Sequence, residues 1–474
     1  MFSTLFLLIY DIILKEEKNM ANSLVKNQEI LLTIKRIGIN GEGIGYYKRL
    51  AIFVDGVLPG EEIVTRITEV HDQYAKGVFV KFKGEKSSER VEPKCPYFGN
   101  CGGCDLQHCN YEYQLRIKKD LVVEAFDKYY NKELNPKLFK DTIGMENPWH
   151  YRNKVKLPVR FDGEKLVTGL YQENSNRLVY IEECLIEKED IRKAVKLICE
   201  VLTRFQVIAY NPKTKEGVLR HIVVRSSTFS NEMQVTLILY KEDKRTIKIA
   251  RDLIKIPHVE SVYYSINDDL EAVENFGEKN VLIIGKETIQ EKIGELKFRL
   301  LPTSFFQLNL KQTEKLYNTV LKLGKFRGTE RVLDGYCGVG TIGLWVARHV
   351  LDVRGIDNNK QAIINANHNA EENGIENAKF YFGNLLPHLY QFADKGWEPD
   401  VLIVDPPRTG MDINLLHYLQ KNPVKKIIYV SCNPATLAKN CNHLSAKYHI
   451  LQIQPLDMFP QTSAVETVVV LERK

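Results

Sequence analysis

No apolar run in this 474-residue sequence is long enough to cross a bilayer, which takes about 20 residues. The apolar stretch from Phe2 to Leu14 has no positive charge before it and no small-residue cleavage site after it, so an export signal is not expected. A strong charge of one sign is lacking too. The net charge of +6 is a mild basic excess that can attract a polyanion without requiring one. No internal repeat or low-complexity tract appears, and 44% hydrophobic with 27% charged residues excludes a disordered chain. Nine cysteines, an odd number with no export signal, argue against a disulfide framework and for a cytoplasmic protein with no membrane partner. What remains is a chain of enzymatic size, long enough for roughly three domains. Met20-Ala-Asn-Ser looks like a better natural beginning than Met1, so residues 1–19 are expected to be a mis-set start or loose extension.

Five short β-rich runs between Asn27 and Lys83, punctuated by Asn40-Gly-Glu-Gly43 and Pro59-Gly-Glu61, predict a small barrel over 22–83. Next come Cys95, Cys101 and Cys104, with Gly102 and Gly103 between the last two. Thiolates so spaced can wrap one metal centre, either zinc or an iron-sulfur cluster. A fourth ligand would be Cys109 or Cys184; Cys109 follows too closely, which favours Cys184. The three-then-two cysteine spacing of radical-SAM enzymes is missing. From Arg116 to Arg160 there are eleven Lys and Arg against six Asp and Glu, interleaved with Tyr129, Tyr130, Trp149 and Tyr151, a mixture that suits RNA phosphates and stacked bases. Mixed strands and helices continue to about 295, giving a central α+β domain over 84–295.

From 296 to 474 regular β-α alternation predicts a doubly wound, Rossmann-like sheet. Arg331-Val-Leu-Asp334-Gly-Tyr336-Cys-Gly-Val-Gly-Thr341 is a strand, a glycine loop and a helix start. The glycines fit a dinucleotide pattern, but Asp334 beside them would repel a pyrophosphate and could accept from an amino acid's ammonium group, as in S-adenosylmethionine. Tyr336 and Thr341 in that loop, Asp357 for the ribose diol, Asn384 for the adenine and Asp405 beside the methyl donor complete the expected cofactor contacts. The strand Lys426 to Ser431 stops at Cys432-Asn-Pro434, placing a thiol at the carboxyl edge of a parallel sheet, where ligands collect.

The barrel text, with Gly41-Glu-Gly43-Ile-Gly45 and Val57-Leu-Pro-Gly-Glu61, resembles a TRAM domain, which implies RNA binding. The text Cys95-x5-Cys101-Gly-Gly-Cys104-x2-Gln107-His108 and the pairing of Asp405-Pro-Pro-Arg408 with Ser431-Cys432-Asn-Pro434 are similar to iron-sulfur RNA uracil-5-methyltransferases. That resemblance covers nearly the whole chain from Asn27. It implies S-adenosylmethionine as methyl donor, a 4Fe-4S cluster on Cys95, Cys101, Cys104 and Cys184, and Cys432 as the nucleophile on carbon 6 of uracil. It also implies Glu466 as the base at carbon 5, and Gln307 in Phe305-Phe-Gln307 as a contact to cofactor and target base. The family's histidine two residues before the base is Ala464 here. Arg408 is the cationic neighbour expected to favour a Cys432 thiolate. The implied substrate is 23S ribosomal RNA, with the T-loop of transfer RNA as alternative and no obligate protein partner; a non-catalytic RNA-binding or assembly factor is the rival from another class.

Overall fold

The computed structural model describes residues 24–172, 175, 177–269 and 276–474, so the expected extension at 1–19 lies outside the described residues. Two compact units are formed. One runs to Ile117 and includes Gln461–Ala464; the other comprises Lys118–Pro460 and Val465–Lys474.

In the first unit β1 (Glu29–Ile37), β2 (Gly43–Tyr47), β3 (Leu50–Val54), β4 (Glu62–Val70) and β5 (Tyr74–Phe82) close into a barrel in the order β1-β2-β3-β5-β4. Ile30, Leu32 and Ile34 alternate with outward residues on β1 and meet Ile52, Val54, Ile63 and Ile67 inside. The turn residue Glu61 is buried, and its carboxylate accepts from Arg90 Nε and Nη2, each at 2.7 Å, and from Leu58 N at 2.8 Å. A helix, α1 (Tyr111–Tyr129), contains the boundary between the units.

The second unit holds two seven-stranded sheets. The first is ordered β12-β11-β10-β9-β6-β7-β8 and is built from β6 (Lys154–Phe161), β7 (Leu166–Tyr171), β8 (Leu178–Tyr180), β9 (Leu219–Ser226), β10 (Met233–Leu239), β11 (Val259–Ile266) and β12 (Lys279–Gly285). On α2 (Glu189–Arg204), Ile191, Val195, Ile198 and Leu202 recur at helical spacing and pack, with α3 (Thr246–Leu253), on Ile222, Val224, Val235 and Leu237. A hairpin, β13 (Ile289–Ile293) with β14 (Leu296–Leu300), leads to α4 (Leu310–Gly324).

The second sheet alternates strands and helices: β15 (Arg331–Gly335), α5 (Thr341–Ala347), β16 (Asp352–Asp357), α6 (Lys360–Glu372), β17 (Ala378–Phe382), α7 (Leu385–Asp394), β18 (Val401–Val404), α8 (Ile413–Lys421), β19 (Lys426–Ser431) and α9 (Pro434–Leu444). It ends on β20 (Tyr448–Leu456) and β21 (Glu466–Arg473), and its order is β17-β16-β15-β18-β19-β21-β20. Val332, Ile403 and Ile428 join one core cluster while Leu333, Leu402 and Ile427 join the other, so both faces are covered, as the unbroken apolar strands require. The first five strands are parallel, and the order reverses between β15 and β18. A ligand crevice belongs at the carboxyl ends of those two strands. β21 then inserts antiparallel between β19 and β20.

Lys118 on α1 and Asp457, just after β20, form a fully buried ion pair, and Lys118 Nζ also donates to Phe459 O at 3.0 Å. Gln312 Nε2 donates to Asp457 O at 2.7 Å and Asn309 Nδ2 to Met458 O at 3.0 Å, fixing the same segment to the start of α4. Lys118→Met strands a buried carboxylate without its counter-charge and is expected to destabilise the fold by about 3–5 kcal/mol. Urea denaturation measures the loss, and a change below about 1 kcal/mol would show that the pair carries no such weight.

Candidate active site

A narrow cleft lies at the switch between β15 and β18, at the carboxyl ends of the two strands. Gln307, Asp334, Tyr336, Thr341 and Asp405 line it together with Phe305 and Gly338. The glycine loop after β15 turns sharply. Tyr336 has φ 64°, Gly338 φ 55° and Gly340 φ 82°, and a Cβ at Gly340 would lie 2.8 Å from the Phe380 ring, so only glycine fits there. Asp334 is 1% exposed; its Oδ2 accepts from Gly343 N at 2.8 Å, while its Oδ1 is buried with no hydrogen-bond partner. Burial, followed by the charges of Asp405 and Asp357, pushes its carboxyl up to about 8 against the Gly343 hydrogen bond. An unpaired acceptor of this kind is suited to a cationic donor such as an ammonium group.

The expected cofactor residues divide. Thr341 Oγ1 accepts from Tyr317 Oη at 2.8 Å, so the hydroxyl is already oriented. Asp357 stands outside the cleft lining: it accepts from Gly338 N at 2.9 Å and Asn359 N at 2.8 Å, and so steadies the glycine loop. Asn384 is exposed at the start of α7, makes no capping bond and does not line the cleft.

Beside the cleft, β19 pairs antiparallel with β21 as far as Ser431 opposite Thr467. One further step of that register sets Cys432 opposite Glu466. Asn433 caps α9, accepting from Ala435 N at 3.1 Å and Thr436 N at 3.3 Å, and donates through Nδ2 to Arg408 O at 3.1 Å. Thr436 Oγ1 donates to the same carbonyl at 3.1 Å. The Asp405-Pro-Pro-Arg408 loop is thereby tied to the residue after the thiol. At Gly410, which closes that loop with φ 85°, a Cβ would lie 2.4 Å from Thr436 Cγ2, so the close approach needs glycine.

Glu466 is 6% exposed. Burial, and then the charge of Asp405, raises its carboxyl, while burial raises that of Asp405. Two buried carboxyls acting on each other hold a proton between them where isolated ones would be fully ionised. Cys432 is affected in turn: burial first, then the charges of Glu466 and Asp405, push its thiol up to about 11, against the smaller pull of Arg408. Arg408 does favour the thiolate, as expected, but burial and the two carboxyls outweigh it. Sequence shows the cation, but not that two carboxylates from β18 and β21 outweigh it.

Cys95, Cys101 and Cys104 are partly exposed in the first unit, with Cys95 N donating to Gln107 Oε1 at 3.2 Å. Cys184, in the second unit, has its thiol raised to about 12 by burial and then by Glu187. Among the described residues no three His, Cys, Asp or Glu side chains are gathered so as to hold a metal ion. Nor is any helix among the described residues long and apolar enough to cross a membrane.

The family model for tRNA (uracil-5-)-methyltransferases matches residues 110–383 and 386–474. The chain belongs to that family. It is an enzyme that uses S-adenosylmethionine to methylate carbon 5 of uracil in RNA. A TRAM model matches residues 25–80, the barrel of the first unit. The chain is 44% identical over 460 residues to an uncharacterized RNA methyltransferase of Bacillus cereus, covering 97% of this chain and 100% of the relative. It is 40% identical to one of Halalkalibacterium halodurans, covering 94% and 97% respectively. The crystal structure of Pyrococcus abyssi tRNA (uracil-54, C5)-methyltransferase in complex with S-adenosyl-L-homocysteine is similar with a TM-score of 0.72 at 29% identity, over 93% of this chain and 98% of that one.

With its thiol held near 11, Cys432 should be alkylated by iodoacetamide about tenfold faster per pH unit between pH 7 and 9, since only the thiolate reacts. Glu466→Gln removes a charge that raises the thiol and should speed alkylation at pH 9. Peptide mass spectrometry of the Cys432 peptide reads both, and a rate plateau near pH 7 would contradict the assignment.

Proposed function

We propose that this family member methylates carbon 5 of a uridine in 23S ribosomal RNA through a covalent adduct on Cys432. The observation that carries the mechanism is the β19–β21 register, which sets a thiol and a buried carboxyl opposite each other at the rim of a cleft rich in carboxylates. Asp334, Asp405 and Glu466 repel one another there, and a ligand with an ammonium and a sulfonium would relieve the repulsion. S-adenosylmethionine has both. The unpartnered Asp334 Oδ1 would accept from its ammonium group, Tyr336, Thr341 and Gln307 would border it, and Asp405 would stand beside its methyl group.

Carbon 5 of uracil is too weak a nucleophile to take the methyl group unaided. Cys432 Sγ, on losing its proton to the Asp405–Glu466 pair or to solvent, adds to carbon 6 and makes an enolate. The enolate carbon displaces S-adenosylhomocysteine from the methyl group. Glu466 in its ionised form then removes the proton from carbon 5, and the thiolate leaves carbon 6, restoring the ring double bond. A uridine inside folded RNA must first be flipped out, and Phe305, 74% exposed at the cleft, offers a ring on which it can rest.

The archaeal structural relative, named for uracil-54 of transfer RNA, favours a second reading in which the T-loop is the target. The cysteine spacing remains the support for a structural 4Fe-4S cluster on Cys95, Cys101, Cys104 and Cys184, which iron and sulfide analysis of anaerobically prepared protein tests. Cys432→Ala should abolish methylation and the capture of 5-fluorouridine RNA. Glu466→Gln should slow turnover by on the order of 10²–10⁴-fold while the protein–RNA adduct accumulates on gels. Assays on 23S and transfer RNA transcripts separate the two substrates. An active Cys432→Ala enzyme would end the covalent mechanism.

A further inference from the structure

The segment 301–308 between β14 and α4 has no regular structure, yet it carries Phe305, Phe306 and Gln307 into the cleft. Its main-chain carbonyls are taken up one after another by the first sheet of the second unit. Lys154 Nζ donates to Pro302 O at 3.1 Å, Arg225 Nη2 to Ser304 O at 2.5 Å and Asn153 Nδ2 to Gln307 O at 3.2 Å, while Asn153 N donates to Leu308 O at 3.0 Å. From α6, Asn365 Nδ2 donates to Ser304 Oγ at 3.4 Å, and that oxygen also accepts from Leu301 N at 3.1 Å. With the backbone held from both sides, the side chains of Phe305 and Gln307 are left to face the ligand.

The cations that do this are placed at a cost. Lys154 and Arg225 are direct partners across the β6–β9 ladder, where like charges oppose each other unfavourably. Arg225 is buried, and its Nε has no hydrogen-bond partner. Burial, then Arg225 and Lys156, lowers the Lys154 ammonium well below its usual range. The charge of buried Glu291 supports Arg225 in part, and the ties of both cations to the 302–304 backbone give a reason for their facing placement.

We propose that Asn153, Lys154 and Arg225 are positioning residues for methyl transfer: the first sheet of the second unit sets where Phe305 and Gln307 stand over the cleft. This rests on the reading above, in which those two side chains meet the target base and the methyl donor. Displacing reacting groups by about 1 Å can cost on the order of 10²-fold in rate, so loss of the clamp should show in turnover before it shows in folding.

The test uses the full-length enzyme with Arg225→Met, Arg225→Lys and the pair Phe305→Ala with Gln307→Ala. Arg225→Met should lower kcat by on the order of 10²-fold while the melting temperature and the affinity for RNA change little, and Arg225→Lys should recover part of the loss. In an enzyme that already carries Phe305→Ala and Gln307→Ala, Arg225→Met should add little, because it acts through those two side chains. Multiplying losses, activity within about twofold of wild type, or a loss that simply follows the melting temperature would each overturn the proposal. If Arg225→Met does not fold, Asn153→Leu, which removes only the side-chain bond to the Gln307 carbonyl, carries the same comparison. The anisotropy of a Phe305→Trp reporter reads the loop without any methyl transfer: it should fall when Arg225→Met is added, and an unchanged value counts against the clamp. Should the wild type methylate no RNA at all, the proposed function fails, while this reporter still decides whether the clamp exists.

Discussion

One strand pairing organises the chemistry. In a purely parallel sheet every strand delivers its carboxyl end to the same rim, and a residue that begins a strand stands at the opposite edge. By running antiparallel between β19 and β20, β21 brings its first residue, Glu466, to the rim where β19 ends in Cys432. The thiol and the carboxyl thus meet at one edge although 33 positions of sequence lie between them. The Asn433 cap and the bonds to the Arg408 carbonyl extend the arrangement to β18, so that Asp405 joins the same group.

That convergence has an electrostatic cost. Asp334, Asp405 and Glu466 each sit above the ordinary carboxylate range because burial and mutual repulsion disfavour ionisation, and Cys432 is raised with them. The resting site therefore holds protons and a thiol of low reactivity. On the proposed mechanism, the ammonium and sulfonium of the methyl donor would offset these carboxyls, which would then oppose the thiolate less. Activation of Cys432 would thus be linked, on that mechanism, to binding of the donor.

Much of this was legible in the sequence, and the residues show why. Cys432 followed by Asn-Pro marked a strand end, and the structure ends β19 at Ser431; Asp334 beside the glycine loop marked an acceptor, and its Oδ1 is buried without a partner. Local patterns fix strand ends, caps and turns, so they show where a functional group leaves the backbone. Arg408 favours the thiolate as expected, yet its charge does not decide the outcome. Its charge is visible in the sequence, but the weight of that charge depends on Glu466 and Asp405, which only the sheet order brings close. Asp357 and Asn384 were expected at the ends of the next two strands, and the structure shows the one accepting from the Gly338 amide and the other exposed at the start of α7.

The clamp on 301–308 was the least legible part, and its chemistry explains the silence. Its acceptors are main-chain carbonyls, which every residue has and no motif marks. Its donors, Asn153, Lys154 and Arg225, look like ordinary polar residues in strands, and Lys154 was counted only as part of a basic stretch suited to RNA. What could have drawn notice is Arg225 itself, which follows Ile222-Val-Val224 in a strand that the fold buries along its whole length. A cation in such a position is retained only if something compensates it. The partner turned out to be the carbonyl of Ser304, next to the aromatic residue that faces the cleft, so the charge in the first sheet and the exposed ring at the second are two ends of one arrangement.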